Sequence, residues 1–194
     1  MTTAHAVPAP ADQAAVDDLW STPVWLGTIQ PVLDHDQLRA QMHRTGHGSR
    51  DIDLQGILDI DQAHSAFTAL AHTALPHEAA GEVRVSVQIW GAHHRIPLAY
   101  GHAAWTAWCY LAVDGQAPHD RSGALCLHDP RAGCDAASVP GLPWGRAVTL
   151  KAQAGLTVLA PGWLAHSVLP VSPGHTLAVL TARADSKPTA CTPA

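Results

Sequence analysis

His102 stands just ahead of the run Trp105-Thr106-Ala107-Trp108-Cys109-Tyr110-Leu111, and His166 follows the turn segment Pro161-Gly162-Trp163-Leu164-Ala165. A neutral imidazole is a donor for borderline metals and a proton carrier near neutral pH. Two imidazoles from different strands make half of a non-haem iron site. The alternative is that each is a lone polar residue hydrogen-bonded near a rim. Residue type alone does not select the pair, because the chain holds 14 histidines against 11 Lys and Arg. His93 and His94 are further nitrogen donors; as neighbours on an extended chain they point to opposite faces, so at most one reaches a common metal. Between residues 83 and 184 the carboxylates are Asp114, Asp120, Asp129 and Asp135. Of these, Asp129 in Asp129-Pro130-Arg131 is the candidate for a site, although a turn-forming role suits it better.

The frame that must position these groups is bounded by composition. The 194 residues suit one domain, and 47% hydrophobic content supports a core. A net charge of −5 gives no basic footprint for nucleic acid. No run approaches the ~18 apolar residues of a membrane span, and the first 18 residues lack the pattern of a secretory signal. The four cysteines (Cys109, Cys126, Cys134 and Cys191) show no C-x-x-C spacing. Disulfides are therefore not expected, and a reducing cytoplasm is the expected setting.

Along the chain, residues 1–16 and 185–194 read as disordered ends flanking a domain over 17–184. Leu19 to Gly27 reads as an entry segment followed by a short strand, and the opening segment with Trp20 and Trp25 is a candidate for pairing two copies as a homodimer. Asp34 predicts the cap of a helix over about 35–45. A second helix runs from Asp61 to about Leu75, with Phe67, Leu70, Ala71 and Ala74 on one stripe. From Gly81 the period changes to two, as in Val83-Arg84-Val85-Ser86-Val87-Gln88-Ile89-Trp90. Further strands are expected at 105–113, 123–128, 147–151, 155–160, 164–170 and 175–183, separated by Pro/Gly/Asp turns. Many short strands imply a mainly β, antiparallel sandwich or jelly roll with N-terminal supporting helices.

Several segments resemble, in order, those of the Fe(II)/2-oxoglutarate oxygenase superfamily, in particular its short bacterial members. Leu19-Trp20-Ser21-Thr22-Pro23-Val24-Trp25 is similar to the opening L-F-x-T-P-V-W. Trp90-Gly91 followed by His102 resembles the approach to the first metal histidine, and Thr106 to Leu111 stands where S-G-V-Y-Y-L is usual. Gly123-Ala124-Leu125 through Asp129-Pro130-Arg131 is similar to G-x-L…D-P-R. The most specific match is Gly155-Leu156-Thr157-Val158-Leu159-Ala160-Pro161-Gly162-Trp163-Leu164-Ala165-His166-Ser167-Val168, against G-x-L-x-L-F-P-S-W-L-x-H-x-V. The resemblance covers about residues 19–181. It implies a double-stranded β-helix, Fe(II) held by His102 and His166, 2-oxoglutarate and dioxygen as co-reactants, and a small-molecule substrate.

Two residues of that pattern are replaced. In a His-x-Asp/Glu motif the i and i+2 side chains face one metal; here Ala104 stands at i+2 and cannot ligate. The 2-oxoglutarate arginine is usually on the strand after the second histidine, where His175 stands here. Arg183 shares its parity, but eight residues at ~3.3 Å put it roughly 26 Å farther along. Arg131 and Lys151 are other candidate anion donors, and Tyr110 shares parity with His102 and is a candidate donor to a carboxylate. Trp105, Trp108 and Trp144 are candidate substrate-pocket residues, and the loop from Arg131 to Arg146 a candidate lid. Three functions are open at this point: an oxygenase with a relocated ligand, a 2-oxoglutarate halogenase using the His-x-Ala motif, and a cupin-like metal- or ligand-binding protein that does not turn over 2-oxoglutarate.

Overall fold

The computed structural model describes residues 15–19, 22–76, 80–115, 119, 121–130 and 145–186. Among the described residues two helices and eleven strands follow in the order β1 (Ala15–Leu19), β2 (Thr22–Thr28), α1 (His35–Met42), β3 (Ser49–Asp51), α2 (Ile60–Ala74), β4 (Ala80–Trp90), β5 (Ile96–Ala99), β6 (Ala103–Gly115), β7 (Leu125–Leu127), β8 (Val148–Leu150), β9 (Leu156–Pro161), β10 (His166–Val168) and β11 (His175–Ser186). The strands form a seven-stranded sheet, β1-β2-β9-β6-β11-β4-β3, and a four-stranded sheet, β5-β10-β7-β8. Every strand pairing is antiparallel, which is the jelly-roll arrangement the turn spacing implies. The first described strand starts at Ala15 and the last ends at Ser186.

Local signals account for the helices. The Asp34 carboxylate accepts from the Asp36 and Gln37 backbone N–H groups, satisfying donors that the first turn of α1 leaves open. Asp59 does the same for α2 through Gln62 N at 2.9 Å. Leu38 and Met42 of α1, with Phe67 and Ala71 of α2, are buried against the large sheet. There they meet Ala107, Cys109, Leu180 and Ala182. The opposite face of the sheet, carrying Tyr110, Leu177 and Val179, packs against Leu125, Leu127 and Val168 of the small sheet. Strand β11 is therefore buried on both faces, which explains its near-continuous apolar sequence from Leu177 to Leu180.

One irregularity bears on the site. Along the β6–β11 ladder, Ala184 faces Trp105 and Asp185 faces Ala103, so Ala104 has no partner on β11. This is a β-bulge, and it breaks the alternation of side chains at that point. Ala104 and Trp105 both turn into the helix-side core, at 3% and 1% exposure. Two expectations are corrected here: residue 104 does not share a face with a metal-directed His102, and Trp105 is a core residue rather than part of a pocket.

Candidate metal centre and its cavity

A cavity of about 580 Å³ opens between the two sheets and is lined by His102 and His166 together. His102 sits in the short connection between β5 and β6, and His166 begins β10. Their approach is set by a backbone latch: Gly101 N donates to Gly162 O at 3.1 Å, and Gly162 N donates to Ala104 O at 3.0 Å. Side chains could not fit there, since a Cβ on Gly162 would lie 2.1 Å from the Ala103 carbonyl oxygen. The turn Pro161-Gly162 thus carries a positional requirement for glycine as well as a bend.

His166 is 5% exposed, and its Nδ1 lies 3.1 Å from the Leu164 carbonyl oxygen. Only a protonated Nδ1 can bond a carbonyl, so Nε2 keeps its lone pair for a metal. Burial holds the imidazole below its ordinary pKa; the Leu164 carbonyl opposes this, while Arg183 and His128 add to it. Trp108 fixes the ring from the sheet side, with centroids 4.7 Å apart and planes at 62°. Among the described residues no three His, Cys, Asp or Glu side chains gather as a metal-holding group. The two imidazoles that line the cavity, His102 and His166, are nitrogen donors of a kind suited to Fe(II).

The remaining candidates are dispersed. Asp129 accepts from Gly145 N at 3.4 Å and does not line the cavity. His93 is exposed, with a left-handed φ of 65°, and stacks on His47. His94 stacks on Trp90, with ring centroids 4.9 Å apart, and does not itself line the cavity. Tyr110 is fully buried and donates its hydroxyl to Gly123 O at 2.9 Å, and burial raises its pKa, so it is a satisfied core tyrosine. Lys151 is exposed beyond β8. Arg131 and Trp144, with most of the candidate lid, lie outside the described residues, as do Trp20, Cys134 and Cys191.

His175 does not reach the cavity. It lies at the start of β11 opposite Gly115, with Nδ1 2.7 Å from Ser122 Oγ. Between it and Trp108 the space is packed by Tyr110, Leu177 and Val179, none more than 1% exposed. From His175 to Thr181, which faces Trp108, is six residues or roughly 20 Å. A five-carbon diacid is far too short to join that position to the histidine pair, so 2-oxoglutarate does not fit a site at His175. Instead the cavity gathers three charged residues that spacing along the chain does not bring to the histidines. Arg183 and Arg84 face each other across β11 and β4, and Asp185 is ion-paired with Arg84.

Burial of His94 and His175 also carries a consequence for stability. Desolvation lowers the pKa of both below 6.5, with Asp114 opposing it at His175. Above pH 6.5 each is neutral in both folded and unfolded chains and contributes nothing. Below that value the unfolded chain takes up protons that the fold resists, so stability falls as pH drops and levels off beneath the folded pKa values. The urea midpoint is expected to be lower at about pH 5.5 than at about pH 7.5. His175→Gln, which retains a partner for Ser122 without a titrating ring, should reduce the difference. A midpoint indifferent to pH over this range would contradict the assignment.

No family model matches the sequence, and no curated protein matches it. Solved structures do match by fold. A Pseudomonas putida prolyl-4-hydroxylase superposes with a TM-score of 0.57 at 19% identity, covering 88% of this chain and 96% of the other. The non-haem α-ketoglutarate-dependent epimerase SnoN of nogalamycin biosynthesis gives 0.51 at 18% identity, over 86% and 82%. A viral collagen prolyl hydroxylase from Paramecium Bursaria Chlorella virus-1, solved with 2-oxoglutarate, gives 0.50 at 13%, over 84% and 96%. The chain has the double-stranded β-helix fold of the Fe(II)/2-oxoglutarate oxygenases. Among the described residues, no helix is long and apolar enough to cross a membrane.

Proposed function

We propose that the protein is a non-haem Fe(II), 2-oxoglutarate-dependent oxygenase that oxidises a small molecule, with His102 and His166 as the protein's nitrogen ligands. The observation that supports this reading is the meeting of two imidazoles, 64 positions apart in the chain, on the wall of one cavity in a fold shared with such enzymes. When bound, Fe(II) with 2-oxoglutarate and dioxygen supplies an oxidant able to replace a C–H bond by C–OH. The chain's own part is positional. Leu164 orients His166 through Nδ1, so that Nε2 is offered to the metal. The glycine latch holds His102 against the same cavity. Trp108 and Trp90 line the cavity, being 2% and 1% exposed, and would keep water from its buried wall.

Anaerobic loading is expected to give one equivalent of bound Fe(II), and later addition of 2-oxoglutarate and dioxygen to give succinate release that depends on that iron. His102→Ala and His166→Ala should each abolish both. Full metal content in both variants would overturn the assignment. Chlorinated product formed only with chloride would move the reading to a halogenase, and stoichiometric metal without succinate would move it to a metal- or ligand-binding protein.

A further inference from the structure

The cavity wall changes character along one face of the large sheet. On their helix side β4 and β11 are apolar, with Val87, Ile89, Leu180 and Ala182 in the core. On the other face, where the small sheet covers them, Trp90 of β4 lies opposite Leu177 of β11. Beyond that cover the same face turns polar: Gln88 lines the cavity one step up, and then Ser86 lies opposite Thr181. Ligand cavities are lined mostly by apolar side chains, so a polar row on this wall is informative about the ligand. Thr181 also faces Trp108 across β6, and Trp108 packs on the His166 ring, so the row stands beside the histidines.

Ser86 Oγ and Thr181 Oγ1 are 2.8 Å apart and share one hydrogen bond. That bond uses one of their two protons and one of their four lone pairs, leaving one donor and three acceptor sites. The Gln88 amide is held in one orientation. Its Nε2 donates to Asp51 Oδ1 at 2.9 Å, and its Oε1 accepts from Trp90 Nε1 at 3.1 Å. An ionised carboxylate only accepts and an indole N–H only donates, so the amide cannot flip. It keeps one further N–H and one further lone pair. The row thus offers twice as many acceptor sites as donors, and no charge.

We propose that the cavity takes an uncharged, polyhydroxylated ring, a sugar or cyclitol, as its substrate, and that Gln88 and the Ser86–Thr181 pair select it. Hydroxyl groups bring the protons that this row lacks and also accept from its few donors, whereas a carboxylate or a ketone brings no proton. An ammonium group would bring protons, but the next pair along the strands sets Arg84 and Arg183 against Asp185 alone, which disfavours a cation. Vicinal hydroxyls on a ring hold their oxygens about one hydrogen-bond length apart, which is the spacing of the Ser86 and Thr181 oxygens. Tyr100 lines the same cavity and is 69% exposed, which leaves aromatic surface open to the C–H face of such a ring. Asp51 lies on β3, outside the lining, and is a positioning residue acting through Gln88. The inference rests on reading the cavity as the active site, while concerning residues that bind no metal.

The test is equilibrium binding. The full chain, without added metal, is titrated with methyl α-glucopyranoside, methyl β-galactopyranoside and myo-inositol, and with cyclohexanol as the control that keeps the ring and a single hydroxyl. NMR follows the Gln88 side-chain amide and the Thr181 methyl group. We expect both signals to move with at least one polyol at an affinity of order millimolar, and cyclohexanol to bind at least about tenfold more weakly. Gln88→Leu and Thr181→Val should each weaken that polyol about threefold to tenfold, as for one neutral hydrogen bond. Asp51→Ala should weaken it similarly and shift the Gln88 amide signals, while Asp51→Asn, which keeps an acceptor, restores both. Signals that no polyol moves, cyclohexanol binding as tightly as every polyol, or full polyol affinity in both Gln88→Leu and Thr181→Val would overturn the proposal. The titration needs no iron, so its failure and failure of the iron reading are separable.

Discussion

Ala104→Asp is expected to unfold the protein or leave it barely stable, rather than to restore a third metal ligand. By spacing alone the substitution recreates His-x-Asp, but the bulge opposite Ala184 and Asp185 turns residue 104 into the helix-side core. A carboxylate there would be almost fully desolvated, at an effective cost of several kcal/mol. That is a large part of the ~5–15 kcal/mol by which a domain of this size is stable. The informative counterpart is Ala103→Asp, because residue 103 lines the cavity. Its new carboxylate would face Asp185 across the ladder, a like-charge contact costing under about 1 kcal/mol and relieved by Arg84. Thermal melts should therefore separate the two variants widely, and Fe(II) titrations should show tighter metal only in Ala103→Asp. A stable Ala104→Asp protein with improved iron affinity would mean that the bulge is absent in solution.

The same bulge shows which parts of the site were legible in the sequence. Strand 83–90 announces itself by period two, 105–113 by a run of apolar residues, and both helices by an Asp cap and an apolar stripe, because these signals are local. Strands β3 and β5 carry no such signal: Ser49-Arg50-Asp51 is exposed throughout, and Pro97 interrupts the other. Ala104's orientation was not legible, since a bulge is defined by what the partner strand does. Counting along β11 separates Arg183 from His175 by a distance that agrees with the fold. What counting could not supply is which end of the strand lies beside the histidines, because that depends on the pairing of β10 with β5 and β7. Asp185 stands where the apolar strand pattern gives way to polar residues, so by sequence it reads as the start of a tail. Its part in the cavity follows only from β11 extending to Ser186.

Gly162→Ala should weaken iron binding without touching a ligand. The Gly162 peptide bonds Gly101 on one side and Ala104 on the other, so it ties the turn before His166 to both flanks of His102. A Cβ at residue 162 would lie 2.1 Å from the Ala103 carbonyl oxygen and 2.9 Å from the Ala103 Cβ. Backbone on both sides leaves no flexible side chain to yield, so the two segments must separate, and the two imidazoles with them. Loss of a group that orients a metal ligand typically costs 10–100-fold in affinity, and a fall of about that size is expected here. Gly174→Ala is the control. That residue has a left-handed φ of 76°, and a Cβ added to it would meet nothing within 4 Å, so alanine should cost roughly 1–2 kcal/mol of stability from backbone strain alone. Iron affinity should then be unchanged in Gly174→Ala and reduced in Gly162→Ala at comparable loss of melting temperature. If the two variants bind iron equally, the turn serves only the fold, and His102 takes its position from elsewhere in β5 and β6.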